Sequence, residues 1–115
     1  MNPDDENSVL AVPDLEKGYI KINNYEKNTT RRFEAHERAL FAMCLNYEGN
    51  LLCTASEKGT LLRIFSTENG EPLMELRRGK ENAKVHTLCF DRKSKFLACT
   101  SDRSTIHIFS INIDS

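Results

Sequence analysis

The sequence predicts an all-β fold, a partial β-propeller of about two and a half WD-repeat-like blades, from three observations. Two segments repeat at an offset of 45 residues; short β-branched and aromatic runs recur between turn signals; and no long stretch sustains a helical period. The repeat sets LFAMCLNYEGNLLCTASEKGTLLRIFS (40–66) over VHTLCFDRKSKFLACTSDRSTIHIFS (85–110). Cys44 falls on Cys89, Leu52 on Leu97, Ser56 on Ser101 and Thr60 on Thr105. Beyond that point the second copy is one residue shorter, so Ile64 meets Ile108 and Phe65 meets Phe109. The extra residue near Leu61–Leu62 predicts a β-bulge in the first copy.

Each element follows from the same grammar. The first copy reads as strands near 40–46, 51–56 and 60–66, and the second as strands near 85–91, 96–101 and 105–111. The groups NYEGN, SEKG, DRKSK and SDRS supply the turns between them. EPLMELRR adds a fourth strand after the first copy, and four strands at a period in the forties is the pattern of a propeller blade. Upstream, SVLAVP, GYIKINNY and NTTRRFEAH read as three further strands. The expected organisation is the later strands of one blade at about 8–35, a complete blade at 36–78, and three strands of another at 79–115. Since a propeller closes a ring of four or more blades, the chain is expected to be a piece of a larger one.

The 115 residues carry a net charge of −1, which argues against broad electrostatic attraction to nucleic acid. The polar, acidic start MNPDDENSVL lacks the features of a signal peptide, and no apolar run approaches the roughly 18 residues of a membrane span. Cys44, Cys53, Cys89 and Cys99 form no C-x-x-C pair and all lie in apolar runs. They are expected to be reduced, buried small hydrophobes in a cytosolic protein. There is no Gly-rich phosphate loop before a helix, no metal-ligand spacing and no nucleophile motif, so a binding protein without cofactor or metal is expected rather than an enzyme.

The chemistry-bearing residues gather around the repeat. His36 precedes the first strand of the complete blade, where the Gly-His element of WD repeats places a histidine that bonds within its blade. His86 reads as a surface or packing residue. His107 aligns with Arg63, and each follows a serine and a threonine: Ser56 and Thr60 in one copy, Ser101 and Thr105 in the other. Between the copies stands LMELRRGKEN (73–82). Because successive strand side chains point to opposite faces, Arg77 and Arg78 would reach toward different blades. Arginine suits phosphate through planar, bidentate hydrogen bonds, and Ser, Thr and His can complete a shell around the same anion. Gly79 would let the chain turn directly after the pair. The competing reading of the dipeptide is a solvated strand end that discourages aggregation.

LRRG between two blade repeats, with AHERAL before it, SDRSTIHIF after it and SVLAVPDLEKGYIKINNY upstream, resembles the PROPPIN family. These are seven-bladed β-propellers, including the WIPI proteins of animals, that bind polyphosphoinositides. The resemblance covers nearly the whole chain and places it at the later strands of blade four, blade five and most of blade six. Leu76 stands where the commoner form FRRG has Phe. The resemblance implies two headgroup sites, the first using His36, Ser56, Thr60, Arg63 and Arg77, the second using Arg78, Ser101, Thr105 and His107. It implies phosphatidylinositol 3-phosphate and phosphatidylinositol 3,5-bisphosphate as ligands and autophagy machinery proteins as partners. It further implies a cytoplasmic protein recruited peripherally to endosomal, vacuolar or preautophagosomal membranes, acting in autophagy and endosomal membrane trafficking. The family's membrane-inserting loop would begin where this chain stops. The alternative is a WD-repeat protein-interaction scaffold that does not bind lipid.

Overall fold

The computed structural model describes residues 9–102 and 105–111, and among them no α-helix occurs. Ten strands form three antiparallel sheets. The first sheet holds β1 (Val9–Pro13), β2 (Tyr19–Asn24) and β3 (Thr29–Glu34). The middle sheet holds β4 (Leu40–Leu45), β5 (Leu51–Ser56), β6 (Leu61–Ser66) and β7 (Pro72–Arg77). The last sheet holds β8 (Val85–Phe90), β9 (Phe96–Ser101) and β10 (Thr105–Ser110). Each sheet is a meander of sequentially neighbouring strands, joined among the described residues by short polar turns. Asn46 and Asp91, at matching places in the repeat, organise two of these turns. The Asn46 side-chain oxygen accepts from the Leu51 N–H at 3.0 Å, and an Asp91 carboxylate oxygen accepts from the Lys95 and Phe96 N–H groups at 2.6 and 2.7 Å. These bonds hold the Asp91 carboxyl below the usual carboxylate range.

Strand alternation divides the middle sheet into two faces. Leu52 and Phe65 face the first sheet, where they pack with Ile20, Ile22 and Ala35, and Phe33 and Phe65 meet with ring centroids 4.9 Å apart. Cys53, Ala55, Leu62 and Ile64 face the last sheet and pack against Val85, Leu88, Leu97 and Cys99. The sheets therefore stack face to face with an apolar layer in each gap.

Three expectations need correction. Pairing of β5 with β6 runs without irregularity from Leu51↔Ser66 to Ala55↔Leu62, so no bulge lies at Leu61–Leu62. The extra residue lengthens the connection before β6: Ala55 faces Leu62, while Thr100, at the place of Ala55, faces Ile106. Thr60 and Thr105 are thus not register equivalents. Thr60 stands in the turn and Thr105 stands in a strand, opposite Ser101. Register shifts instead fall at Ile64/Phe65 against β7, and at Leu40/Ala42 and Val85/Thr87, the last two leaving Phe41 and His86 outside the ladders. These two rings, one from each copy, meet edge to face at 6.3 Å. The second correction is Cys89, which is exposed; Cys53 and Cys99 are buried and Cys44 is half-buried. Cys44 packs on the layer between the middle and last sheets, whereas Cys89 lies on the outward face of the last sheet, together with Ile106 and Ile108. The third is Gly79, whose conformation is not left-handed and where an added Cβ would meet nothing within 4 Å. Near this turn the backbone requires glycine at Gly59 instead, where φ is +71°.

Candidate functional site

The first cleft, between the first and middle sheets, is built around Arg63 on β6. Its register partners are Thr54 on β5 and Glu75 on β7, and alternation puts all three on the face toward the first sheet. The guanidinium donates through Nη1 to the Ala35 carbonyl at 2.7 Å and through Nε to Glu75 Oε1 at 3.2 Å. His36, next to Ala35, is 5% exposed, and its Nε2 bonds to Thr54 Oγ1 at 2.8 Å. Burial first, and the Arg63 charge second, push the His36 imidazole down to about 4, so it is neutral at physiological pH. Arg77 ends β7 opposite Leu61, on the same face as Glu75. It is exposed and, among the described residues, makes no side-chain hydrogen bond or ion pair. Ser56 and Thr60 are both buried, at the end of β5 and in the following turn.

The second cleft lies between the middle and last sheets. Arg78 follows Arg77 immediately, and its side chain turns to the other face. The guanidinium donates through Nε to the Gly59 carbonyl and through Nη2 to the Glu81 carbonyl. Its charge also reaches across to the last sheet, where it acts on the buried Cys99 thiol. The main chain is held as well, the Arg78 N–H donating to the Thr60 carbonyl at 2.8 Å. Cys99 is the register partner of His107, and both face Arg78's side of the gap. His107 stacks on Phe109 with centroids 6.2 Å apart. Ser101 is buried one pleat along from Cys99. Thr105 is described by its backbone, paired with Ser101; its side chain lies outside the described residues, as do Arg103 and Ser104.

By strand register the expected residues fall on the walls of the two gaps between sheets, with the arginine pair at the divide. Ser56, Arg63 and Arg77 share the first cleft's face with His36 behind them, and Ser101 and His107 share the second's with Arg78 opposite. Glu75 was not among the expected residues. A lone glutamate in an alternating strand reads as solvated surface, and only the β6–β7 register puts it on Arg63. His86, read as a surface or packing residue, is exposed and pairs with Asp102, whose carboxyl it holds below the usual range. No group of His, Cys, Asp or Glu among the described residues is arranged to hold a metal.

Gly59 ties these clefts to the stacking of the sheets. Its φ is +71°, and a Cβ there would stand 1.7 Å from the Ala83 carbonyl oxygen in the segment leading to β8. Gly18 repeats the arrangement one sheet earlier, at φ +81° and 1.9 Å from the His36 carbonyl oxygen. In both places the turn before a sheet's inner hairpin strand lies directly on the linker to the next sheet.

Known proteins share this arrangement. The PROPPIN family model matches residues 2–114. The chain is 41% identical over 102 residues to SVP1-like protein 2 of Neurospora crassa, covering 89% of this chain and 24% of that protein. It is 36% identical over 107 residues to Autophagy-related protein 18e of Arabidopsis thaliana, covering 93% of this chain and 29% of that protein. Among solved structures it matches Kluyveromyces lactis Hsv2 with a TM-score of 0.88 at 27% identity, over 94% of this chain and 36% of that one. The chain therefore spans about a quarter to a third of the relatives it matches, and the all-β blades found here are those of a propeller. The chain belongs to the PROPPIN family.

Proposed function

We propose that this chain supplies two headgroup pockets of a polyphosphoinositide-binding β-propeller that acts in autophagy and endosomal membrane trafficking. The ligands are phosphatidylinositol 3-phosphate and phosphatidylinositol 3,5-bisphosphate, and binding rather than catalysis is the activity. The protein is cytoplasmic and reaches endosomal, vacuolar or preautophagosomal membranes peripherally, where it meets proteins of the autophagy machinery. The observation that carries this reading is the division of the arginine pair. Arg77 faces a cleft with Ser56 and Arg63, and Arg78 faces a cleft with Ser101 and His107, at matching register positions. Thr60 and Thr105 complete the two sets, and His36 holds the first cleft's wall through Thr54. Arg78 is bonded to carbonyls, which fix its direction without neutralising its charge. The relatives' naming as autophagy-related proteins supports the cellular setting.

A second reading, a protein-interaction scaffold that does not bind lipid, is favoured by those same carbonyl bonds, which would make Arg78 a structural pin. The two readings part at Arg77, whose side chain makes no hydrogen bond or ion pair among the described residues. Vesicle flotation of the full-length polypeptide carrying this sequence tests them, comparing vesicles containing phosphatidylinositol 3-phosphate with phosphatidylserine vesicles. Arg77→Ala is expected to weaken 3-phosphate binding at least tenfold, the worth of about 1.4 kcal/mol of charge-assisted bonding, with unchanged thermal unfolding. Binding that survives Arg77→Ala combined with Arg78→Ala sinks the assignment.

A further inference from the structure

The Arg63–Glu75 pair is not a requirement of the fold. In the first sheet the register equivalents of these two residues are Lys21 and Arg32, two cations directly opposite each other. In the last sheet His107 stands at the place of Arg63 and faces Cys99 on the neighbouring strand. Arg32 takes its carboxylates, Asp14 and Glu16, from the connection between β1 and β2; of the two sheets in which both strands are described, the middle one sets a carboxylate directly opposite the cation in the ladder. The pair lines the mouth of a cavity of about 430 Å³ together with Ala35, Phe65 and Met74. Its side chains are 34% and 54% exposed, so an anion arriving from solvent reaches them.

We infer that Glu75 is a specificity gate of the first cleft, an internal counter-ion that an incoming phosphate must displace from Arg63. The inference rests on the reading of this cleft as a headgroup site. A lipid carboxylate or phosphodiester carries one negative charge and gains little by exchanging with a glutamate that carries the same charge. A phosphate monoester carries about −1.5 to −2 at neutral pH and presents three acceptor oxygens, so it wins the guanidinium. The gate therefore costs every ligand some affinity and costs singly charged ligands proportionally more. Arg63 keeps its aim throughout, because the Ala35 carbonyl holds Nη1 independently of Glu75.

The test is vesicle binding by the full-length polypeptide with Glu75→Gln, with Glu71→Gln as a control that removes the same charge from the exposed β6–β7 turn. Exposed ion pairs of this kind contribute up to about 1 kcal/mol, so Glu75→Gln is expected to tighten binding to phosphatidylinositol 3-phosphate vesicles roughly two- to fivefold. Binding to phosphatidylserine vesicles is expected to rise by a larger factor, so that discrimination between the two falls. Glu71→Gln is expected to change neither. Equal gains in the two variants reduce the effect to bulk charge and overturn the gate, as does unchanged or weaker binding of Glu75→Gln. If Arg77→Ala abolishes binding while Glu75→Gln matches the parent, the headgroup reading stands and the gate does not. If the unaltered protein shows no preference for the 3-phosphorylated vesicles, both fall.

Discussion

Gly59→Ala is the perturbation that joins stability to the second cleft. An L-residue held at φ +71° is disfavoured by about 1 kcal/mol. The new methyl group would overlap the Ala83 carbonyl oxygen, and backbone rather than a movable side chain stands in its way. The segment must therefore withdraw, breaking the Ala83 N–H to Lys58 carbonyl bond of 3.1 Å, worth about 1 kcal/mol. The Arg78 bond to the Gly59 carbonyl is lost or bent with it, for a further loss of about 1 kcal/mol. Lower entropy of the unfolded chain returns about 0.5 kcal/mol, leaving a net loss of about 2–3 kcal/mol. Urea unfolding measures this, with Gly79→Ala as control. That position has ordinary backbone angles and open space around the would-be Cβ, so its change is expected to stay within about 0.5 kcal/mol. Below the unfolding transition Gly59→Ala should also weaken lipid binding, because Arg78 loses the carbonyl that aims it. Equal stability of the two variants would refute the packing of this turn on the inter-sheet linker.

Two further outcomes follow from the buried groups. The unfolded His36 imidazole takes its proton near 6.5 and the folded one only near 4, so between these values the unfolded chain binds more protons and stability falls as acid is added. Relative to His36→Gln, the parent should lose on the order of 3 kcal/mol of unfolding free energy between pH 7 and pH 4, read by denaturant titration at each pH; parallel pH profiles would remove His36 from the buried wall. For the cysteines, a maleimide should label Cys44, Cys53 and Cys99 only on unfolding. Cys53 and Cys99 are buried, and burial pushes the half-buried Cys44 thiol up to about 12. Peptide mass mapping reads the order, and fast labelling of Cys53 would contradict the stacking of the middle and last sheets.

What the sequence made legible was local chemistry. The turns at NYEGN, SEKG and DRKSK, the β-branched runs between them and the 45-residue repeat placed all ten strands, because turn residues and pleat alternation act over a few positions. The division of Arg77 and Arg78 between faces was legible for the same reason. Register was not. Whether the residue beyond the repeat sits in a strand or in a turn changes no local preference, and only cross-strand pairing shows that it lengthens the turn before Leu61. Cys89 reads as buried because its segment matches that of Cys44; what differs is a neighbouring sheet, which lies outside any window of sequence. Glu75 on Arg63 and Arg78 on the Gly59 carbonyl stayed hidden because both are contacts set by register and packing.

Matching sequence does not make the two clefts equal. Aligning the inner hairpins puts Glu34 and Ala35 of the first sheet at the places of Arg77 and Arg78, since Tyr19 faces Glu34 as Leu61 faces Arg77. The wall that reaches into the first cleft from the preceding sheet is therefore an alanine, small enough to be buried, and it offers Arg63 a carbonyl. The same wall in the second cleft is Arg78, which offers a cation. The first cleft concentrates two arginines on one sheet and pairs one of them, Arg63, with Glu75. The second takes its arginine from the sheet before it and faces it with a histidine. Under the headgroup reading, a dianionic phosphate is drawn to the first cleft by charge it must win from a carboxylate, and to the second by a cation already aimed by backbone carbonyls. The second cleft is then the one that fills without displacing anything, and the first supplies the discrimination.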